Sequence, residues 1–188
     1  MATLWVVLDV ESIGLHGEGY AAGWVVVDSA GNELDARREA CPTEAAAGYE
    51  SGRKWVAANC PPLPATRMTP AEVRAEFWQA WTKWRGQGAK LIADCGWPVE
   101  ARFLIACVED ARPLGRGRVL SEGGRDYGGP YPLHELASLL VAAGIDPFAT
   151  KGTRMPNELP EHDPLADARQ SARLLAAALQ RLHGERGA

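Results

Sequence analysis

The chain has 188 residues, 46% of them apolar and 23% charged, with a formal net charge of −4. That length suits one full-sized domain better than two, and the composition excludes a disordered or fibrous chain. The negative balance removes the simple electrostatic case for nucleic-acid binding, although carboxylates awaiting divalent cations also count as negative until the cations are included.

The N-terminal stretch "MATLWVVLDVE" lacks a basic leader region and meets an acid after a short apolar run, so it reads as neither a signal peptide nor a membrane span. Residues Thr3 to Val10 are rich in β-branched and aromatic side chains and predict a strand buried on both faces. "YAAGWVVVDSAGNEL" predicts a second strand leading into a tight turn at Ala30, Gly31 and Asn32. A third strand over Glu33 to Ala40 completes an antiparallel meander, and its charged tail marks a sheet edge. From Cys41 to Arg67 the pattern predicts a long loop with one short helix.

"TPAEVRAEFWQAWTKW" is the clearest helix. Thr69 at the N-cap, Pro70 next and Glu72 at the third position form a capping box, and Val73, Phe77, Ala80, Trp81 and Trp84 make its apolar face. "AKLIADC" predicts a short strand with an acidic end, and "PVEARFLIACVEDA" a helix opened by Pro98. "RVLSE" predicts another strand. After a glycine-rich loop, "PLHELASLLVAAG" predicts a helix carrying Leu133, Leu136, Ala137, Leu140 and Val141 on one face and ending at Gly144. The last helix is capped by Asp163, and Leu165, Ala168, Ala172, Leu175, Leu179 and Leu182 form its apolar seam. Strands followed by helices alternating with short strands predict a mixed α/β sheet flanked by helices. The organisation expected is one domain over residues 1–183 with a polar tail over 184–188.

The chemistry lies in the acids. Asp9 and Glu11 are two residues apart in a strand and therefore share a face. Two like charges held together are costly, and a cation removes the cost; hard oxygen donors suit Mg²⁺ or Mn²⁺. Asp94 ends an apolar strand, a usual place for a site in α/β proteins. Glu100 stands in the first turn of a helix, where the dipole alone would favour it. Asp167 lies one turn into the last helix beside the apolar seam, and His162 just outside that helix. The four cysteines, Cys41, Cys60, Cys95 and Cys107, show no C-x-x-C pair or His-rich partner segment, which argues against a structural zinc site or a disulfide framework and fits a reducing, cytoplasmic setting.

The ordered set Asp9-x-Glu11, a mid-chain acid and "HDPLAD" resembles the DEDDh 3′–5′ exonucleases of the ribonuclease H-like superfamily. "LDVESIG" is similar to that family's D-x-E-[ST]-x-G opening and "HDPLADA" to its closing H-x-A-L-x-D-A signature. The middle segment "ADCGWPVEARFL" departs from the family's H-N-x-x-F-D-x-x-F-L pattern: aligned from its right end it puts Glu100 at the catalytic acid, and from its left end Asp94 falls near the Asn. Asp94 is preferred because an acid ending an apolar strand needs explaining.

The resemblance implies a ribonuclease H-like fold and phosphodiester hydrolysis with two divalent cations, Mg²⁺ or Mn²⁺. Asp9 would bridge both, Glu11 and Asp167 would complete the first, and Asp94 or Glu100 would hold the second. His162 would be the general base. It further implies a single-stranded RNA or DNA 3′ end as substrate, contacted by Ser12 and Ile13, and a homodimer, since relatives are often dimers. Trp97 is the tryptophan placed to stack on a base, and Arg102, Arg125 and Arg169 could neutralise phosphate. Two rivals stay open: an inactive nucleic-acid or protein binding module, and a metal-dependent endonuclease on the same scaffold.

Overall fold

The computed structural model describes residues 3–111, 132–149 and 153–184. The strand predicted at "RVLSE", Arg125, and the tail beyond Gly184 lie outside the described residues. Three strands open the chain: β1 (Trp5–Ser12), β2 (Gly19–Val27) and β3 (Glu33–Ala40). A single 3₁₀ turn at Thr43–Ala45 and helix α1 (Glu50–Asn59) occupy the segment read as a long loop. Helix α2 (Pro70–Arg85), strand β4 (Lys90–Ala93) and helix α3 (Val99–Asp110) follow. Strand β5 (His134–Glu135), helix α4 (Leu136–Ala142), a 3₁₀ turn at Pro156–Glu158 and helix α5 (Pro164–Gly184) are the remaining elements among the described residues.

Among the described residues the sheet has five strands in the order β3-β2-β1-β4-β5. The first three pair antiparallel, while β4 and β5 run parallel to β1. This is the mixed sheet flanked by helices that the pattern predicts, with β3 at an edge and β1 at the centre. Alternation along β1 divides its side chains between two cores. Val6, Leu8 and Val10 pack with Trp24, Phe77, Trp81 and Phe103 beneath α2 and α3. Trp5 and Val7 pack with Ile92, Leu136, Leu140, Ala172 and Leu175 beneath α4 and α5. Asp9 and Glu11 continue this second row by the two-residue period, so they point to the side covered by α5.

The capping box at the start of α2 forms as expected, with Thr69 accepting from the Glu72 N–H and Glu72 accepting from the Thr69 N–H. Asp163 caps α5 by accepting from the N–H groups of Leu165 and Ala166 at 3.0 and 3.4 Å. The helix expected from Pro132 starts later than predicted. His134 and Glu135 instead pair with Ile92 and Ala93 and extend the sheet. His134 also sets its ring edge-on to Trp5 at 5.3 Å. Backbone pairing at an open strand edge thus overrides helical periodicity for these two residues. Gly144, with φ of 67°, does end the helix.

No helix among the described residues is long and apolar enough to cross a membrane. Glycine at position 23 has a specific packing role. It pairs with Asp9 across the sheet, and a Cβ there would lie 2.2 Å from the Pro164 carbonyl carbon. The bare backbone therefore lets the first turn of α5 lie directly on the strand beside Asp9, which sets the height at which Asp167 arrives.

Candidate active site

β1 pairs with β4 only from Trp5 to Leu8. Past Ala93 the partner strand has ended, and Glu100, from the first turn of α3, accepts a hydrogen bond from the Val10 N–H that β4 no longer covers. The first turn of α5 lies against the same end of β1 and delivers Asp167. Four carboxylates, Glu11, Asp94, Glu100 and Asp167, thereby act on the fifth, Asp9, at the C-terminal end of the central strand.

Their protonation shows the cost of this crowding. Burial first, then Asp167, Glu100, Glu11 and Asp94 in decreasing order, hold Asp9 well above the ordinary carboxylate range. Burial and then Asp167 push Glu11 up to about 8, partly opposed by the Cys60 thiol that donates to it. Glu100 rises to about 7 through burial, although its own N–H and that of Val10 stabilise the carboxylate. Asp167 is also raised by burial, against the opposing influence of Arg154. Burial without enough counter-charge is the common cause.

The sequence assigned Glu100 an adequate capping role. Its carboxylate does accept its own N–H, but the side chain is only 9% exposed and acts on Asp9 more strongly than Asp94 does. Asp94 is half-buried on the turn after β4.

His162 lies on the other flank. Its Nδ1 is 3.5 Å from Glu11 Oε1, and its N–H donates to Asp167 Oδ2 at 3.1 Å. Its φ of 60° is a left-handed conformation, uncommon outside glycine although histidine adopts it more readily than most residues. Local strain of this kind is tolerated where surrounding contacts fix it, and here Asp167 holds the backbone while the Trp55 ring sits edge-on to the imidazole at 5.1 Å.

Sequence reasoning missed three neighbours of the acids. Arg154 donates to Asp167 Oδ1 and to the Glu158 carbonyl, and it comes from a segment with no periodic pattern to flag it. Cys60, at the C-terminal end of α1, donates to Glu11 Oε2 at 3.7 Å. Trp55 precedes it by just over one helical turn. The register shift opposite Glu11 and Ser12, where β2 carries Tyr20 as an extra residue, also lacks a sequence signal, and it breaks the regular pairing beside the site.

Ser12 and Ile13 are both buried, and the Ser12 hydroxyl donates to the Gly14 carbonyl at 2.9 Å. Trp97 is 71% exposed on the turn leading into α3. Arg102 donates to the His16 carbonyl, and Arg169 is forked onto Glu33 at 3.0 and 3.1 Å.

The donor set fits divalent cations. Oxygens of Asp9, Glu11 and Asp167 lie within 4.8 Å of one another, and all are hard ligands. Fold and site together define an α/β protein that gathers buried acids at the end of its central strand. No family model and no curated protein matches the sequence. Among solved structures, the 3′-exonuclease from a study of 3′-end-specific recognition of a histone mRNA stem-loop shares the fold. The TM-score is 0.53 at 15% identity, covering 95% of this chain and 82% of that one. A zinc-bound E. coli ExoI–ssDNA complex matches with a TM-score of 0.60 at 12% identity, over 99% of this chain and 42% of that one. The chain thus spans less than half the length of the E. coli protein while sharing its fold.

Proposed function

We propose that this protein is a DEDDh-type 3′–5′ exonuclease that hydrolyses phosphodiester bonds at single-stranded nucleic-acid 3′ ends. The observation that carries the reading is the convergence of Asp9, Glu11, Glu100, Asp94 and Asp167 on one strand end, with His162 Nδ1 3.5 Å from Glu11. The shared fold of the 3′-exonuclease and of a protein bound to single-stranded DNA supports it.

Asp9 and Glu11 with Asp167 would hold one divalent cation, and Asp9 with the middle acid a second. When bound, Mg²⁺ or Mn²⁺ would supply charge neutralisation and a water acidic enough to attack phosphorus at neutral pH. We infer that Glu100 is the closer middle acid and Asp94 the outer one, because Glu100 is the more buried and weighs more on Asp9. His162, 37% exposed at its side chain, is open to the water it would deprotonate as general base. Its backbone N–H bond to Asp167 ties the base to the acid cluster. Trp97 and Trp55 offer exposed ring surface on either side for base stacking. Ser12 and Ile13, immediately after Glu11, are buried at 8% and 1% exposure, so they would form the floor beneath the terminal nucleotide.

The test uses 5′-labelled single-stranded RNA and DNA with Mg²⁺, Mn²⁺ or chelator, and an Asp9→Ala control. A metal-dependent ladder shortening stepwise from the 3′ end, absent in the control, is expected. Internal cuts would replace this reading with an endonuclease, and a shifted but intact oligonucleotide with a binding module. Replacing His162 by Ala should remove most turnover while leaving the melting temperature near that of the wild type.

A further inference from the structure

Among the described residues, Glu11 belongs to two different groups of potential metal ligands. One is all oxygen: Asp9, Glu11 and Asp167. The other is mixed: Glu11, Cys60 and His162, whose ligating atoms also lie within 4.8 Å of one another. The second group joins β1, the end of α1 and the strained residue before α5, and no sequence spacing announces it.

Its geometry and chemistry differ from those of the first. Zinc bonds of roughly 2.0–2.3 Å to oxygen, nitrogen and sulfur, set at tetrahedral angles, separate neighbouring ligand atoms by about 3.3–3.6 Å. The Nδ1 to Oε1 distance is 3.5 Å and the Sγ to Oε2 distance 3.7 Å, each close to such an edge but ending on different oxygens of the Glu11 carboxylate, so a turn of that carboxylate completes the figure around one oxygen. The partial exposure of His162 leaves a path for the ion and for a water in the fourth position. Mg²⁺ has little use for sulfur, whereas a Cys-His-carboxylate set suits Zn²⁺.

We infer that Glu11, Cys60 and His162 form a second, zinc-selective cation site that competes with the all-oxygen site for Glu11. As zinc binds, the Cys60 S–H bond breaks, a zinc–sulfur bond forms and the proton leaves to solvent. With its imidazole nitrogen on the ion, His162 no longer takes a proton from water, and Glu11 no longer serves the all-oxygen set. Zinc is therefore an inhibitor in the presence of excess Mg²⁺. The binding site stands on the three side chains alone; the inhibition rests on the nuclease reading.

Co²⁺ serves as the spectroscopic probe for zinc, titrated into the full chain. A thiolate-to-cobalt charge-transfer absorption is expected in the wild type, lost in Cys60→Ser and retained in Asp9→Asn. Absence of that band in the wild type would mean that no thiolate binds the metal, and its survival in Cys60→Ser would assign the thiolate to Cys41, Cys95 or Cys107; either result would overturn the site. His162→Ala keeps the thiol and should weaken Co²⁺ binding by at least about tenfold, as loss of a ligand must cost no less than loss of its outer-shell partner; unchanged affinity would also overturn it. In hydrolysis assays with Mg²⁺ in excess, Cys60→Ser should need at least about tenfold more Zn²⁺ than wild type for half-inhibition. Equal sensitivity would remove the inhibitory role. A cobalt band dependent on Cys60 in a chain that cleaves nothing would support the site and overturn the nuclease reading, so the two failures are distinguishable.

Discussion

Glu158 and Glu11 are both buried glutamates, 2% and 7% exposed, yet the protein treats them in opposite ways. Glu158 receives a fork from Arg173 at 2.5 and 2.8 Å and a bond from the Met155 N–H. Burial opposes its charge, but these partners outweigh burial and hold the carboxyl below its ordinary value. Among the described residues Glu11 receives a thiol and has a histidine beside it, faces Asp167 and Glu100, and is pushed up to about 8. A structural carboxylate is given its counter-charge within the fold. Among the described residues, Glu11, Glu100 and Asp167 are pushed up by burial that their partners do not offset, the condition expected of groups that share a cation.

The sharpest break between the two regions is activity. Asp9→Asn keeps the shape of the cluster and removes its central charge, so metal-dependent hydrolysis should fall by more than about a thousandfold, equivalent to roughly 4 kcal/mol of barrier. Initial rates on a labelled oligonucleotide measure this. The same substitution should leave the metal-free protein as stable as wild type or more so, because it relieves repulsion.

At the other glutamate the sign reverses. Arg173→Ala strands the buried Glu158 carboxylate and should destabilise the fold by about 2–3 kcal/mol, less than for a fully buried pair because Arg173 is one-third exposed. Denaturant unfolding gives the value. Activity at a temperature where the variant is folded should change far less than in Asp9→Asn.

The two regions also respond oppositely to pH. Carboxyls raised in the folded state bind more protons there than in the unfolded chain, so metal-free stability should fall as pH rises from about 4.5, where the unfolded Glu11 titrates, to about 8, where the folded one does. The decrease should be a few kcal/mol, read from melts in chelator at about pH 5 and pH 8, and saturating Mn²⁺ should abolish it by binding the ionised cluster. A flat profile in chelator would mean that the acids find counter-charge within the protein.

How much of this was legible in the sequence depends on the kind of signal. The meander, the α2 capping box, the Asp163 cap and the apolar seam of α5 follow local chemistry that each segment carries by itself. Asp9, Glu11, Asp167 and His162 were visible as ordered motifs, because a two-residue strand period and a helix start place them without tertiary knowledge. The choice between Asp94 and Glu100 depended on where β4 stops beside β1, which no local pattern encodes. Cys60, Trp55 and Arg154 were invisible for the same reason: their relevance comes from which chain segments fold against Glu11 and Asp167. His134 and Glu135 misread as helix because an open strand edge captured them.

Arg154 gives the smallest expected effect and the finest test of the comparison. It is the one arginine among the described residues seen donating to a member of the acid cluster, and its hydrogen bond and charge lower Asp167 against the influence of burial. If the cluster is short of positive charge, Arg154→Met should raise Asp167 further, so metal-free stability should fall more steeply with pH than in wild type. The same loss makes the site more negative, so Mn²⁺ should restore stability in the variant by more than it adds to wild type. Both changes should be about 1 kcal/mol, since Arg154 also bonds the Glu158 carbonyl and its removal disturbs more than one contact. Arg154 then resembles a partial placeholder for the cation, whereas the Arg173 fork at Glu158 is a permanent partner, and only at the former should added metal compensate for a lost arginine.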